Sequence, residues 1–252
     1  MQFLLALIVL LIFAAIWYLP IVKRQQAISG VVTKKTLWKT FFLCLLPGGI
    51  VILILESILG WGLKFAHITE DMMLYQVLYA FIIYSMVEEF VKYFGARFML
   101  RKNTEVKRID IMVVFAAAGL GYEVIETAVM GNLIASISRG IFVAHMMYQL
   151  VMGHFYCESL KAKAEGDEGK AKKMAVFALL IPMIIHGVND MVCQLIGYEG
   201  LGIDPTIMTI VCVVFLFVLQ VVTAIVGVKL SKKDQDLSLT LPAKKAENAD
   251  NA

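Results

Sequence analysis

The sequence has little charge. Only 17% of its 252 residues are Asp, Glu, Lys or Arg, where soluble domains carry about a quarter. It lacks the period-2 alternation over roughly ten-residue segments that a transmembrane β-barrel needs. It lacks a CxxC pair. The four cysteines, Cys44, Cys157, Cys193 and Cys212, are scattered, which argues against a disulfide framework and leaves them as small apolar fillers. There is no G-x-S-x-G elbow and no H-E-x-x-H helix, so serine and zincin chemistries have no local signature. No internal repeat and no matched pair of broken helices points to an inverted-repeat transporter.

What is present is apolar length. Sixty per cent of the residues are hydrophobic, and they fall in blocks long enough for helices of about 20 residues to cross a bilayer. Seven segments emerge, at about 2–22, 40–63, 72–97, 109–130, 133–160, 173–197 and 205–229. The expectation is an all-α, polytopic, multi-pass plasma-membrane protein. The first segment has no basic n-region and runs into Lys23-Arg24, so it reads as a retained anchor rather than a signal peptide. Pro47-Gly48-Gly49 marks a kink in the second. Of the 23 Lys and Arg, 20 fall on alternate connections and the C-terminal tail. One, Lys64, falls on the other side, and two, Lys92 and Arg139, lie inside spans. The positive-inside rule then places the N-terminus outside and the C-terminus in the cytoplasm. The expected layout is a membrane domain over residues 1–230, with its site on 72–197, and a polar, disordered cytoplasmic tail over 231–252. Lipid is the expected surrounding, and nucleic acid is not an expected partner.

Several residues contradict the apolar surroundings. An ionisable group at mid-bilayer costs at least ~2.5–3.5 kcal/mol. Yet span three holds Glu88, Glu89 and Lys92, and span four holds Glu123 and Glu126. Span five holds Arg139, His145 and His154, and span six holds His186, Asn189 and Asp190. At about 100° per residue, Lys92 can bridge Glu88 and Glu89, and His186 shares a face with Asp190. His145 and His154 are nine residues apart, about half a rotation. Only one can face a common centre, and His145 is the one nearer mid-depth. A lone acid such as Glu56 reads as an interhelical hydrogen-bonding group. Each pair alone could be a packing contact, but such groups on four consecutive spans exceed what packing needs, since Gly, Ser and Thr serve at lower cost.

The order of these elements resembles the PrsW family of intramembrane proteases, and more distantly the Abi/CPBP group and the type II CAAX prenyl endopeptidases. The resemblance rests on Glu88-Glu89-Phe90-Val91-Lys92 (EExxK) and on Gly119-Leu120-Gly121-Tyr122 followed by Glu126. It also rests on Arg139, His145 and Gly153, and on His186-Gly187-Val188-Asn189-Asp190 (HGxxD). It spans Glu88 to Asp190. One departure is Thr127, where the family usually has Asn. The resemblance implies cleavage of membrane-anchored protein substrates, with anti-sigma factors the substrates of the namesake branch.

Two hydrolytic schemes fit the residues. In one, Glu88 or Glu89 is general base to a water held also by His145, while His186 with Asn189 or Asp190 polarises the scissile carbonyl. In the other, zinc is held by His145, His186 and a carboxylate (Glu123, Glu126 or Asp190), Glu126 being the one carried forward, with Glu89 as base. No ligand pair has the compact spacing of a zinc helix, which favours the metal-free scheme. In both, Lys92, Glu123, Glu126, Arg139 and Asn189 support the catalytic set of Glu88, Glu89, His145, His186 and Asp190. A proton-coupled transporter or a ligand-binding receptor is the reading from another class.

Overall fold

The computed structural model describes residues 2–129, 141–196 and 198–242. Among these residues the architecture is helical apart from one short two-stranded ribbon. Helix α1 spans Gln2–Ile28. Helix α2, Lys34–Leu43, starts at Thr33, whose side chain accepts the Thr36 N–H. It runs through a π-helical stretch, Cys44–Gly48, into α3, Gly49–Phe65. The expected kink at Pro47 is therefore a widened turn, which tolerates the missing proline N–H without ending the rod. Helix α4, Met73–Leu78, likewise passes through a π stretch, Tyr79–Met86, into α5, Val87–Leu100. Strand β1, Glu105–Lys107, leads to α6, Arg108–Val129. Helices α7, Ala144–Ala164, and α8, Glu168–Leu195, form a hairpin, and α9 spans Pro205–Ser231.

Five of these rods are long and apolar enough to cross a membrane: Leu7–Ile28, Lys34–Phe65, Met73–Leu100, Glu168–Leu195 and Pro205–Ser231. Helices α6 and α7 are the inner pair. Helix α6 packs against α1, α2, α5 and α7, and α7 against α6, α8 and α9. Residues 108–123 and 143–154 are buried without interruption. A helix walled by protein on all sides has no lipid face to keep apolar, so α6 and α7 can hold Glu123, His145 and Gln149 inside the core.

Glycine makes the closest approach possible. A Cβ on Gly121 would run into the backbone carbonyl of Phe41, where α2 crosses α6. A carbonyl on a helical rod cannot swing aside as a side chain can. Gly121→Ala is expected to destabilise the bundle by about 1–3 kcal/mol, read as a lowered thermal midpoint in detergent.

Two expectations need correction. The segment drawn as one span over 133–160 is interrupted: Val143 has φ 49°, a left-handed conformation, and α7 begins only after it. For a β-branched residue this is a strained backbone, costing about 1–3 kcal/mol. The tail drawn as disordered from 231 is folded as far as Pro242. Leu237, Leu239 and Leu241 alternate with polar residues, and Leu239 and Leu241 are buried in the main core. Strand β2, Ser238–Thr240, pairs antiparallel with β1, Val106 opposite Leu239. The Arg108 N–H donates to the Leu237 carbonyl at 2.9 Å, and the Leu241 N–H to that of Thr104 at 2.8 Å.

Candidate functional site

The site forms where α5, α6, α7 and α8 meet. Glu88 and Glu89 lie in the first turn of α5, directly after the π stretch, and Lys92 lies one turn on. The Lys92 ammonium is fully buried and sits 2.6 Å from Glu89 Oε1 and 3.2 Å from Glu88 Oε2. It also lies 2.8 Å from His145 Nδ1 and over the Tyr122 ring at 4.6 Å. An ammonium can only donate, so His145 Nδ1 must accept. The proton of that ring then sits on Nε2, which donates to Glu126 Oε2.

His186, near the C-terminal end of α8, completes the cluster. Its Nδ1 donates to Glu89 Oε1 at 3.0 Å. Its Nε2 is buried and makes no hydrogen bond, although Asp190 Oδ2 lies 3.0 Å away and Glu88 Oε2 3.8 Å away. Glu88 Oε2 is too far for a hydrogen bond, and Asp190 Oδ2, close enough, lies out of line. The other Glu89 oxygen accepts from Gln149 Nε2 at 2.6 Å. The rings of His145 and His186 meet edge to face at 4.9 Å, and Tyr148 stacks on His186 at 5.2 Å. One ligand-type atom from each of Glu88, Glu89, His145 and His186 lies within 4.8 Å of the others.

Position depends on local structure. Gly119 lets the start of α7 press against α6, because a Cβ there would lie 2.5 Å from the His145 carbonyl oxygen. The left-handed Val143 sets the helix start. Glu123 Oε2 then accepts the His145 backbone N–H at 2.8 Å, taking one of the donors that a helix N-terminus leaves unpaired. This buried carboxylate holds the histidine through its main chain. Glu123→Leu is expected to lower turnover about 10²-fold by misplacing His145, and Glu123→Gln, whose amide oxygen can still accept, to recover most of it. Comparing kcat for the two variants checks this.

The residues expected at the site thus divide. Glu88, Glu89, Lys92, His145 and His186 are in mutual contact, Asp190 borders His186, and Glu126 touches the far nitrogen of His145. Asn189 donates to Asp190 Oδ1 at 3.3 Å and accepts from Gln220 of α9 at 3.4 Å. Arg139 lies outside the described residues. His154 is elsewhere: it contacts the buried Arg108, which pairs with Glu158 at 2.7 Å. Sequence reasoning missed Gln149, although its place four residues after His145 on a buried helix was a usable signal. It also missed Tyr148, which stacks on His186, and took Tyr122 only as part of a motif rather than as a wall of the cluster.

The chain is similar to several curated proteins of one family. The chain is 27% identical over 139 residues to Protease PrsW of Halalkalibacterium halodurans, covering 53% of this chain and 62% of that protein. It is 27% identical over 156 residues to Protease PrsW of Clostridioides difficile, covering 58% and 62%. It is 22% identical over 142 residues to Protease PrsW of Shouchella clausii, covering 54% and 64%. The chain spans about three fifths of the length of these curated relatives. No solved structure matches it significantly. The family described as PrsW family intramembrane metalloprotease matches residues 32–222, well over half of the chain, and with its five apolar membrane-crossing helices this multi-pass membrane protein belongs to that family.

Proposed function

We propose that the chain is a metal-dependent intramembrane peptidase that hydrolyses membrane-anchored proteins, in the manner of regulated proteolysis of anti-sigma factors. The observation that carries this reading is the buried meeting of Glu88, Glu89, His145 and His186. The family's description as metalloproteases supports the metal-dependent form. The missing zinc-helix spacing favoured a metal-free scheme on sequence grounds. That ground weakens once the donors come from three separate helices and converge only in the fold.

The donor set fits a divalent ion. Two imidazoles and a carboxylate make an accepted catalytic zinc set. His186 Nε2 is a buried nitrogen without a hydrogen bond. Glu88 and Glu89 stand on either side of Lys92 beside the two imidazoles, and a carboxylate is itself a suitable ligand for a divalent cation. His145, His186 and Glu89 would hold the ion. Bound there, it would supply Lewis-acid polarisation of the scissile carbonyl and a water that ionises near neutral pH.

The chain's own groups do the rest. Glu89 is fixed by Lys92, His186 and Gln149, which suits a ligand. Glu88 has fewer fixed partners and suits proton transfer from the attacking water to the departing amine nitrogen. Glu126 orients the His145 ring through its far nitrogen rather than adding a ligand. Lys92 holds the two adjacent acids in place. Helices α6 and α7, of 22 and 21 residues, complete seven crossings, with the N-terminus outside and the C-terminus in the cytoplasm. The 20-to-one division of Lys and Arg between the two sides supports this topology.

The test is expression of the full chain in a bacterial membrane with tagged single-span substrates. Wild type should release a shorter tagged fragment, and His186→Ala should release none. If every substrate stays intact with wild type, and His186→Ala instead abolishes pH-dependent uptake of a solute, the chain is a transporter and the peptidase reading fails.

A further inference from the structure

Helices α1 and α2 both pack on α6 but hardly touch each other. Between them lies a cleft of about 400 Å³, within the ~300–1,000 Å³ of small-ligand sites. Ala15 and Tyr18 form one wall, Trp38 and Phe41 the other, and Ala117 and Leu120 the floor. Small residues make the space: alanines on α1 and α6 stand where larger side chains would close it. The lining is almost entirely apolar except at the end nearest the α1–α2 turn, where Lys34 lines it.

That end is cationic. Lys34 lines it, Lys35 follows Lys34 and Lys23 follows the lining residue Val22, all three exposed, and no Asp or Glu precedes Glu56 in the chain. The nearby acid Asp110 makes no ion pair with them among the described residues. It is fully buried and accepts from Gln25 Nε2 at 2.7 Å, Ser29 Oγ at 2.5 Å, the Val32 N–H at 3.4 Å and the Lys107 N–H at 2.9 Å.

An apolar slot with a cationic mouth in a membrane-crossing fold matches one ligand chemistry. We propose that the α1–α2–α6 cleft binds an acyl chain of an anionic phospholipid, with Lys34 on the phosphate and Lys23 and Lys35 beside it. The one charged residue in the lining, Lys34, points to an anionic headgroup rather than to an apolar substrate helix. An acyl chain is slim and flexible enough to follow the slot. The binding is independent of the peptidase reading, because the cleft lies on the α1–α2 side of α6, away from the cluster of Glu88, Glu89, His145 and His186.

Trp38 reports on occupancy. The full chain carrying Trp17→Phe and Trp61→Phe is placed in phosphatidylcholine nanodiscs containing a minor fraction of brominated lipid. Because Trp17 donates to the Ile141 carbonyl, the difference between wild type and Trp38→Phe gives the same quantity if the double variant folds poorly. Brominated phosphatidylglycerol should quench Trp38 at a several-fold lower mole fraction than brominated phosphatidylcholine. Lys34→Gln should weaken that preference roughly fivefold, the effect of about 1 kcal/mol per lysine at an anionic surface. Ala15→Phe, which fills the slot, should remove the excess quenching. Equal quenching by the two lipids overturns the proposal. So does a preference unchanged in Lys34→Gln, or displacement of the brominated lipid by an added single-span substrate, which would make the cleft a substrate groove.

Discussion

Glu89→Gln should reduce kcat/KM for a membrane-anchored substrate by ~10²–10⁴-fold or more, because losing a ligand forfeits the several kcal/mol of transition-state stabilisation that a bound metal would supply. The substitution keeps shape and changes only charge and donor pattern. Glu89 now meets three donors: Lys92 and His186 on Oε1 and Gln149 on Oε2. A glutamine has one oxygen and one NH₂ group, so with its oxygen on Lys92 and His186 its NH₂ meets Gln149, whose amide must turn over to accept. The Lys92 ammonium also loses its closer carboxylate, and a buried ion pair broken from one side costs about 3–5 kcal/mol. A lowered thermal midpoint should therefore accompany the loss of turnover. Glu88→Gln separates the two acids: it should stop turnover while bound metal stays near the wild-type level, whereas Glu89→Gln should lose both. Wild-type cleavage by Glu89→Gln, or full metal content in it, would remove Glu89 from the proposed ligand set.

Dialysis of the purified protein against a chelator should bring cleavage to background, and added zinc should restore it. The same experiment on Lys92→Met carries a second expectation. The ammonium lies within 3.2 Å of three of the four candidate donors or their neighbours in the cluster, so it stands where a metal ion would be drawn. Two cations about 4 Å apart repel by several kcal/mol even at an effective dielectric of about 20. Lys92→Met should therefore retain metal against at least ~10-fold more chelator, although it should turn over poorly because Glu88 and Glu89 lose their clamp. Activity unaffected by exhaustive chelation, with no metal in the active protein, would return the mechanism to the metal-free scheme.

Much of this was legible in the residues. Apolar length located the rods, and helical spacing correctly joined Lys92 to both glutamates and His186 to Asp190. The half-turn between His145 and His154 correctly separated them, since one meets Lys92 and the other Arg108. Contacts between helices were not legible, because spacing along one rod says nothing about which rod faces it. Glu126 was offered as a ligand, one of three carboxylates that could complete a set with His145 and His186. Only the fold shows that it meets the outer nitrogen of His145. The break at Val143 was hidden because the residues around it are as apolar as a continuous span. The β1–β2 ribbon was readable in principle from the Leu237, Leu239 and Leu241 alternation. Three-residue strands are short enough to pass for a polar tail.

The interruption at Val143 also bears on how water reaches a bond inside lipid. A helix that begins within a bundle brings up to four backbone N–H groups that its own turns cannot pair. Glu123 takes one of them. Hydrocarbon tolerates such donors only where protein or a hydrated cavity meets them. Placing a helix start beside His145 thus favours a pocket of solvent at the very place where hydrolysis needs its second reactant, and makes the strained residue an entry point for hydration as well as a bend in the chain.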